Sequence, residues 1–402
     1  MPQEFWQGTN LPKVGGFNRA VVLDAIRANG GVSRVELART TGLTAQTMSN
    51  IVRALMDDGL VIEDGHAPST GGKRRVMLRV VPDAYSSVGL HLDPERITGV
   101  LLDLDGRVRL RSQRRVPPGA SPEAVVGALA RTFHHLVQRS GIDGGRVLGA
   151  GLAVPGPLDR THRRLFGPPN LPGWTEVALA DLLEDRTGLP VVMDNDATAA
   201  AIGERWAGGA DRAGSFVYVY VGTGVGIGVV LGDQVYRGTS SNAGEVGHVP
   251  GAGKECTCGK RGCLEAYCSM RAVVAEWAAA GGAADGSVSA AYQRICREAA
   301  DGDDGAVKIL RVAANRLGQT LATVVSVLDV DRVVLGGPAL RHAGELIRAR
   351  VGKVLKAQVW APHVRPVRVQ AALIGEDAGA VGAACLVLDH AYSPRLATLL
   401  GG

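Results

Sequence analysis

Three cysteines near the middle of the chain could bind a metal ion. Cys256, Cys258 and Cys263 lie within eight residues, with glycines between them that let the chain turn tightly, and His248 lies eight residues upstream. Three thiolates and one imidazole form a closed tetrahedral zinc site. Because catalytic zinc keeps an open coordination position, this set predicts a structural Zn²⁺ with His248 as the fourth ligand.

The N-terminal part of the chain has the spacing of a helix–turn–helix. Apolar residues at helical spacing predict a first helix over 17–28. Ser33 and Glu36 form an S-x-x-E capping box that opens a short second helix. Thr44 then caps a third helix over 45–58. This order is typical of a unit that reads DNA.

The third helix would present polar side chains to solvent on the face opposite its apolar residues. Glutamine, asparagine and arginine can each form paired hydrogen bonds with base edges in the major groove. The candidate DNA contacts are Gln46, Thr47, Ser49, Asn50 and Arg53. A solvated polar face is the alternative interpretation of this helix alone.

A basic hairpin is predicted after the third helix. Short runs of strand-forming residues, 60–62 and 76–80, flank a segment rich in turn formers that ends in Lys73, Arg74 and Arg75. Such a wing contacts phosphates and can enter the minor groove. The sequence therefore predicts a winged helix–turn–helix DNA-binding domain over residues 1–82.

Charge is distributed unevenly along the chain. The formal net charge is +5, and residues 1–80 contain ten Lys and Arg against seven Asp and Glu. The first fifth of the chain thus carries +3 of the excess, as expected for a segment that binds nucleic acid.

Composition excludes several classes of protein. Hydrophobic residues make up 46% and charged residues 21% of 402, which excludes a disordered chain. Six cysteines are too few for a disulfide-stapled mini-protein. The polar first ten residues lack the apolar stretch of a secretory signal, and the longest uncharged run, 213–232, is interrupted by glycines. We therefore expect a cytoplasmic protein without membrane contact.

The remaining residues, 83–402, alternate between strand and helix patterns. This alternation favours an α/β fold, with two similar halves. The predicted strands are 88–92, 98–104, 107–116, 148–154, 191–193, 216–221 and 226–231, and the predicted helices are 122–139 and 197–206.

With these motifs in place, the chain resembles the ROK family of repressors, open reading frames and kinases. The resemblance rests on GLAVPGPLD (151–159), NLPGW (170–174), DNDATAAAIGE (194–204), YVGTGVGIGVVL (220–231), GEVGH (244–248) and CTCGKRGCLE (256–265). It implies a two-lobed, actin-like ATPase (ribonuclease H-like) domain over 83–402, as in bacterial sugar kinases and sugar-responsive regulators.

The resemblance also implies a sugar site. Residue by residue, the family's site falls on Asn195, Asp196, Glu245, His248 and Glu265. Carboxylates and an amide supply the donors and acceptors that vicinal hydroxyls need, and His248 would bind zinc through one ring nitrogen and a sugar hydroxyl through the other. In family kinases the residue matching Asp196 is the general base. Asp194 is equally well explained as part of the turn before the helix.

The phosphate-binding loop of the family kinases is degenerate here. Where they carry Asp-x-Gly-Gly-Thr, this chain places His91 at the aspartate and Asp93 and Pro94 at the glycines, followed by Glu95. Glycines let backbone N–H groups approach phosphate, whereas proline has no N–H and carboxylates repel a polyphosphate. We therefore expect no ATP use, no catalytic residues and no enzyme activity.

These observations predict a DNA-binding regulator of carbohydrate genes, expected from family behaviour to be a repressor, whose operator affinity responds to a sugar or sugar phosphate. A homodimer or homotetramer would read paired half-sites. Two alternatives stay open: an ATP-dependent sugar kinase with an appended DNA-binding domain, and an adaptor in which the sugar pocket is vestigial.

Overall fold

The N-terminal domain of the computed structural model has three helices and a three-stranded sheet. The structure describes residues 11–66, 75–169, 171, 173–208 and 213–393. The N-terminal elements are α1 (Leu11–Ala28), β1 (Val32–Ser33), α2 (Arg34–Thr41), α3 (Ala45–Asp57), β2 (Val61–His66) and β3 (Val76–Val80). β3 pairs antiparallel with both β1 and β2.

Local hydrogen bonds fix the helix starts that the sequence predicts. The Ser33 hydroxyl accepts from the Glu36 amide and the Glu36 carboxylate accepts from the Ser33 amide, so the capping box is confirmed. The Thr44 hydroxyl accepts from the Thr47 amide at the start of α3. The predicted start of α1 at residue 17 is wrong by six residues, because a proline at position 12 is tolerated in the first turn of a helix.

The first lobe contains β4 (Ser86–Asp93), β5 (Arg96–Asp103), β6 (Val108–Arg115), α4 (Pro122–Ser140), β7 (Val147–Val154), β8 (Leu158–Asp159), β9 (Arg164–Phe166), β10 (Glu176–Val177), α5 (Leu179–Thr187) and β11 (Val191–Asn195). It is built on a mixed five-stranded sheet in the order β11-β7-β4-β5-β6. A second, small antiparallel sheet is formed by β8, β9 and β10.

The elements after β11 are α6 (Asp196–Gly208), β12 (Phe216–Val221), β13 (Val225–Leu231), β14 (Gln234–Tyr236), α7 (Glu265–Cys268), α8 (Met270–Ala279), α9 (Val288–Ala300), α10 (Asp304–Leu328), β15 (Arg332–Gly336), α11 (Gly344–Gln358), β16 (Arg368–Ala371) and α12 (Ala378–Tyr392). The second lobe is built on a sheet in the order β14-β13-β12-β15-β16. Helices α6 and α12 lie between the two lobes, α6 against β12 and β13 and α12 against β4 and β7.

The two large sheets share one topology. In each sheet, three consecutive strands pair antiparallel: β4, β5 and β6 in the first lobe, and β12, β13 and β14 in the second. Two more strands then extend the sheet in parallel from the first of these: β7 and β11 beside β4, and β15 and β16 beside β12. This duplication is the arrangement expected for the two ribonuclease H-like halves of an actin-like fold. A 3-10 turn, Pro82–Ala84, lies between β3 and β4, where the sequence predicts the boundary between the domains.

Two buried helices, α6 and α12, cross with their backbones in contact. A Cβ atom on Gly203 would lie 2.9 Å from the Gly382 Cα, and one on Gly382 would lie 2.2 Å from the Ala199 carbonyl oxygen. Glycine is therefore required at both positions for the helices to approach this closely. Because α6 directly follows β11, this packing also fixes the point where strand and helix meet.

In the part of the chain that the structure describes, none of the helices combines the length and the apolar character needed to cross a bilayer.

Candidate functional site

A cavity between the two lobes brings together all five residues that the resemblance assigns to a sugar. Asn195, Asp196, Glu245, His248 and Glu265 all line it. The cavity is also lined by Asp93 and Pro94 at the end of β4, by Tyr220 in β12 and by Thr223 in the loop between β12 and β13. The sequence motifs do not assign these four residues to the sugar site.

The first-lobe side of the cavity lies where β11 ends and α6 begins. The Asn195 amide oxygen accepts from the Ala197 amide across 2.8 Å, and the Asn195 Nδ2 donates to Glu245 Oε1 across 3.5 Å. An Asp196 oxygen also accepts from the Ala197 amide, and its other oxygen lies 3.9 Å from His91 Nε2. The helix start thus holds both side chains at the cavity wall.

The carboxyl groups of Glu245 and Glu265 form the second-lobe side of the cavity. Burial raises the pKa of Glu245 to about 7, with the nearby Asp196 carboxylate adding to the effect. Burial also raises the pKa of Glu265, whose Oε2 accepts from the Val225 amide across 3.0 Å. A carboxyl with a pKa near neutrality can donate or accept a hydrogen bond, which suits a ligand whose hydroxyl groups do both.

On both sides of the cavity, a glycine backbone lies close to one of the two glutamate carboxylates. A Cβ atom on Gly156 would lie 2.6 Å from Glu245 Oε1, and one on Gly224 would lie 2.8 Å from Glu265 Oε2. The glycines of the GLAVPGPLD and YVGTGVGIGVVL motifs therefore make room for the carboxylates.

The residues predicted as metal ligands also converge. The ligand atoms of His248, Cys256, Cys258 and Cys263 all lie within 4.8 Å of one another and could hold a metal ion. Cys256 Sγ lies 3.7 Å from His248 Nδ1, and the Cys258 and Cys263 sulfur atoms lie 3.7 Å apart. The other ring nitrogen of His248 lies 3.9 Å from Glu265 Oε1, so this imidazole connects the cluster to the cavity.

Asp194 has a structural partner that its sequence motif does not reveal. Its carboxylate is fully buried, accepts from Arg237 Nε across 2.9 Å, and accepts from the Asn195 amide across 3.0 Å. It does not line the cavity but ties the segment after β14 to the strand that carries Asn195. A lone arginine more than forty positions away gives no sequence signal for this pair.

The end of β4 and the turn that follows it connect the two lobes. The Thr223 hydroxyl donates to Asp93 Oδ2 across 3.0 Å. The Glu95 carboxylate accepts from the Val288 and Ser289 amides at the start of α9, across 2.9 and 3.3 Å. Burial raises the pKa of Asp93.

In the N-terminal domain, α3 presents one polar row to solvent. Gln46, Asn50 and Arg53 are exposed and lie on one face at helical spacing, and Gln46 Nε2 donates to Asn50 Oδ1. Thr47 and Ser49 are only partly exposed. The Thr47 hydroxyl lies 2.9 Å from that of Thr44, and the Ser49 hydroxyl donates to the Ala45 carbonyl oxygen.

The opposite face of α3 packs in the domain core. Met48, Val52 and Leu55 are buried there, and Ile51 and Met56 pack against them, as the sequence predicts.

The wing is partly described. β2 and β3 form the predicted hairpin, whereas Lys73 and Arg74 lie outside the described residues. Arg75 is exposed, and its Nη1 lies 3.5 Å from Glu36 Oε1 on α2. Asn170 of the NLPGW motif also lies outside the described residues.

Comparison with known proteins agrees with this arrangement in both parts of the chain. Residues 17–75 match the MarR family and residues 87–390 match the ROK family. The xylose repressor of Bacillus subtilis is 30% identical over 375 residues, which are 93% of this chain and 95% of that protein.

Solved structures extend the likeness. A ROK family transcriptional regulator, a homologue of the Escherichia coli MLC protein, superposes with a TM-score of 0.76 at 23% identity over 97% of this chain and all of that one. A ROK family glucokinase from Streptomyces griseus, in complex with glucose and AMPPNP, superposes with a TM-score of 0.67 at 31% identity. The match covers 75% of this chain and 98% of the glucokinase. The chain therefore belongs to the ROK family.

Proposed function

We propose that this protein is a DNA-binding transcriptional repressor of carbohydrate genes whose operator affinity changes when a sugar binds between its lobes. The observation that carries the proposal is the convergence of Asn195, Asp196, Glu245, His248 and Glu265 on one cavity, in a chain that also carries an exposed α3. A ligand that binds one arrangement of the protein better than another shifts the population, and the DNA affinity changes with it.

The electrostatics of the cavity favour an uncharged sugar. Four carboxyl groups line it, those of Asp93, Asp196, Glu245 and Glu265, and none of the described lining residues is a lysine or arginine. A phosphate group would face these carboxylates without a counterion. We therefore favour an unphosphorylated sugar over a sugar phosphate as the effector.

The metal would be a structural Zn²⁺. Tetrahedral Zn–S bonds of about 2.3 Å place two sulfur ligands about 3.7 Å apart, which is the separation of the Cys258 and Cys263 sulfur atoms. Bound zinc would fix the His248 ring through Nδ1 and leave Nε2 for a sugar hydroxyl.

DNA recognition would use Gln46, Asn50 and Arg53 for bases, and the wing with Lys73, Arg74 and Arg75 for phosphates, with residues 1–82 as the DNA-binding domain. Thr47 and Ser49, whose hydroxyl groups have local partners, would contact DNA from the edges of α3. A single helix–turn–helix reads only one half-site, so a homodimer or homotetramer would bind an operator with two of them.

Fluorescence anisotropy tests the proposal. The zinc-loaded protein is titrated onto its own upstream DNA at fixed salt, with and without D-xylose, D-glucose, N-acetyl-D-glucosamine and their phosphates. We expect one neutral sugar to change operator affinity about tenfold, which corresponds to about 1.4 kcal/mol. Binding to DNA that no sugar alters would favour the adaptor alternative, and a response to sugar phosphates alone would overturn the choice of a neutral effector.

A sugar kinase is the second candidate, because Asp196 is retained at the cavity wall and the fold resembles that of a glucokinase. The Asp93–Thr223 and Glu95–α9 contacts argue against it, since they occupy the position of the phosphate loop with carboxylates. A coupled assay for ADP release with the same sugars tests it. Turnover that is abolished in Asp196→Asn would favour the kinase.

A further inference from the structure

Helix α6 extends from the candidate sugar cavity to the DNA-binding domain. Its first residue, Asp196, lines the cavity, and residues in its last turn contact α1. Thirteen residues at about 1.5 Å each make a rod of about 20 Å. Because its backbone packs directly on α12 at Gly203 and Gly382, the helix cannot bend locally to absorb a displacement at one end.

The far end of α6 is held by Arg27 of the DNA-binding domain. Arg27 Nη1 donates to the Trp206 carbonyl oxygen across 2.7 Å, and the guanidinium carbon lies 4.1 Å from the centre of the Trp206 ring. That carbonyl is one of the last four of the helix, which have no partner within it. Arg27 therefore caps the helix and stacks on its indole in one contact.

Charged side chains surround this contact on both sides of the junction. Asp24, on α1, accepts from Arg27 Nη2 across 2.8 Å and lies 4.0 Å from Arg205 Nη1. Arg205 Nη2 also donates to Asp389 of α12 across 2.9 Å. The Arg27 side chain is 7% exposed and that of Arg205 is 12% exposed, so water screens these interactions weakly.

The indole also contacts the first lobe. A Cβ atom on Gly106, in the turn between β5 and β6, would lie 2.5 Å from Trp206 Cδ1. Trp206 is thus enclosed by α1 on one side and the β5–β6 turn on another, and a shift of α6 displaces groups in both domains.

We infer that Arg27 and Trp206 are the positioning residues that couple the two sites: α6 transmits sugar occupancy at Asp196 to α1 through this contact. The inference rests on the proposed function and adds the route of communication to it. It requires that removal of the Arg27 side chain separates sugar binding from its effect on DNA.

Arg27→Ala tests the inference, with Arg34→Ala as the matched control. Arg34 lies on α2 and pairs with Glu63 of β2 inside the DNA-binding domain. Sugar affinity is measured by calorimetry and operator affinity by anisotropy, with D-xylose, D-glucose and N-acetyl-D-glucosamine as probes. We expect unchanged sugar affinity in both variants. The change in operator affinity should fall from about tenfold to less than about threefold in Arg27→Ala only.

Hydrogen exchange gives a second readout. In the wild-type protein, the sugar should alter amide exchange in both α6 and α1, whereas in Arg27→Ala the change should be confined to α6. If Arg27→Ala does not fold, Arg27→Lys, which keeps the charge but lacks the planar donor pair, replaces it.

Two results would overturn the inference and are distinguishable. If Arg27→Ala retains the full sugar-induced change in operator affinity seen in wild type, communication takes another route and the proposed function stands. A wild-type protein that binds none of the sugars would overturn the proposed function, and the inference with it.

Discussion

The Thr223 hydroxyl donates a hydrogen bond to Asp93 and joins the two lobes beside the cavity. Asp93 is the last residue of β4, and Thr223 lies in the turn between β12 and β13. These two side chains therefore connect the lobes directly.

Replacement of Asp93 by asparagine should change how stability depends on pH. A carboxyl whose pKa is raised in the folded state holds its proton more firmly there than when unfolded. Ionisation therefore lowers the free energy of unfolding increasingly as pH rises above the ordinary value of 3.8. The asparagine side chain would still accept from Thr223 without this effect. We expect Asp93→Asn to be more stable than wild type by a margin that grows as pH rises from about 4 towards neutrality, measured by urea unfolding.

Thr223→Val is the control for the Asp93 experiment, because it removes the hydrogen bond and leaves the carboxyl in place. It should be less stable than wild type throughout the same pH range. Parallel stability curves for wild type and Asp93→Asn would contradict the burial of an ionisable Asp93.

Removal of one thiol ligand should eliminate both the metal and the sugar response. In Cys258→Ser we expect no bound zinc by mass spectrometry of the purified protein, and no change of operator affinity with sugar, because the His248 ring is then no longer fixed at the cavity. Operator binding without sugar should survive, since α3 lies in the N-terminal domain. Thr257→Ala, an exposed neighbour between two ligands, is the control. A normal sugar response in a zinc-free Cys258→Ser would show that the metal does not organise the cavity.

Arg53 should contribute to operator binding and not to sugar binding. Its side chain is exposed on the polar row of α3, and arginine pairs with guanine edges or phosphate. We expect Arg53→Ala to weaken operator binding about tenfold or more, with sugar affinity unchanged by calorimetry. Arg311→Ala, an exposed arginine on α10 of the second lobe, should leave both affinities as in wild type. Unchanged operator affinity in Arg53→Ala would move the recognition surface away from this row.

The wing should act through phosphates. Replacement of Lys73, Arg74 and Arg75 by alanine removes three positive charges. For each phosphate that is no longer neutralised, the dependence of log affinity on log salt should decrease by about one. Anisotropy titrations at several salt concentrations measure this slope. An unchanged slope would remove the wing from the DNA interface.

Several features were determined by the sequence because they depend on residues close together in the chain. The capping box at Ser33, the cap at Thr44 and the polar row on α3 follow from spacing within one or two helical turns. The metal cluster was predictable for the same reason, since its four ligands lie between His248 and Cys263. The five cavity residues were predicted through the resemblance, since their motifs are separated by up to about seventy positions.

The tertiary structure decided the contacts between residues that are distant in sequence. Asp93 and Thr223 are 130 positions apart, and Arg27 and Trp206 are 179 apart. Neither pair has a local pattern, because each depends on how the two lobes and the N-terminal domain pack. The same holds for Arg237, which partners buried Asp194. Burial, which raises the pKa of Glu245, is likewise a property of the assembled lobes and not of the residues beside it in the chain.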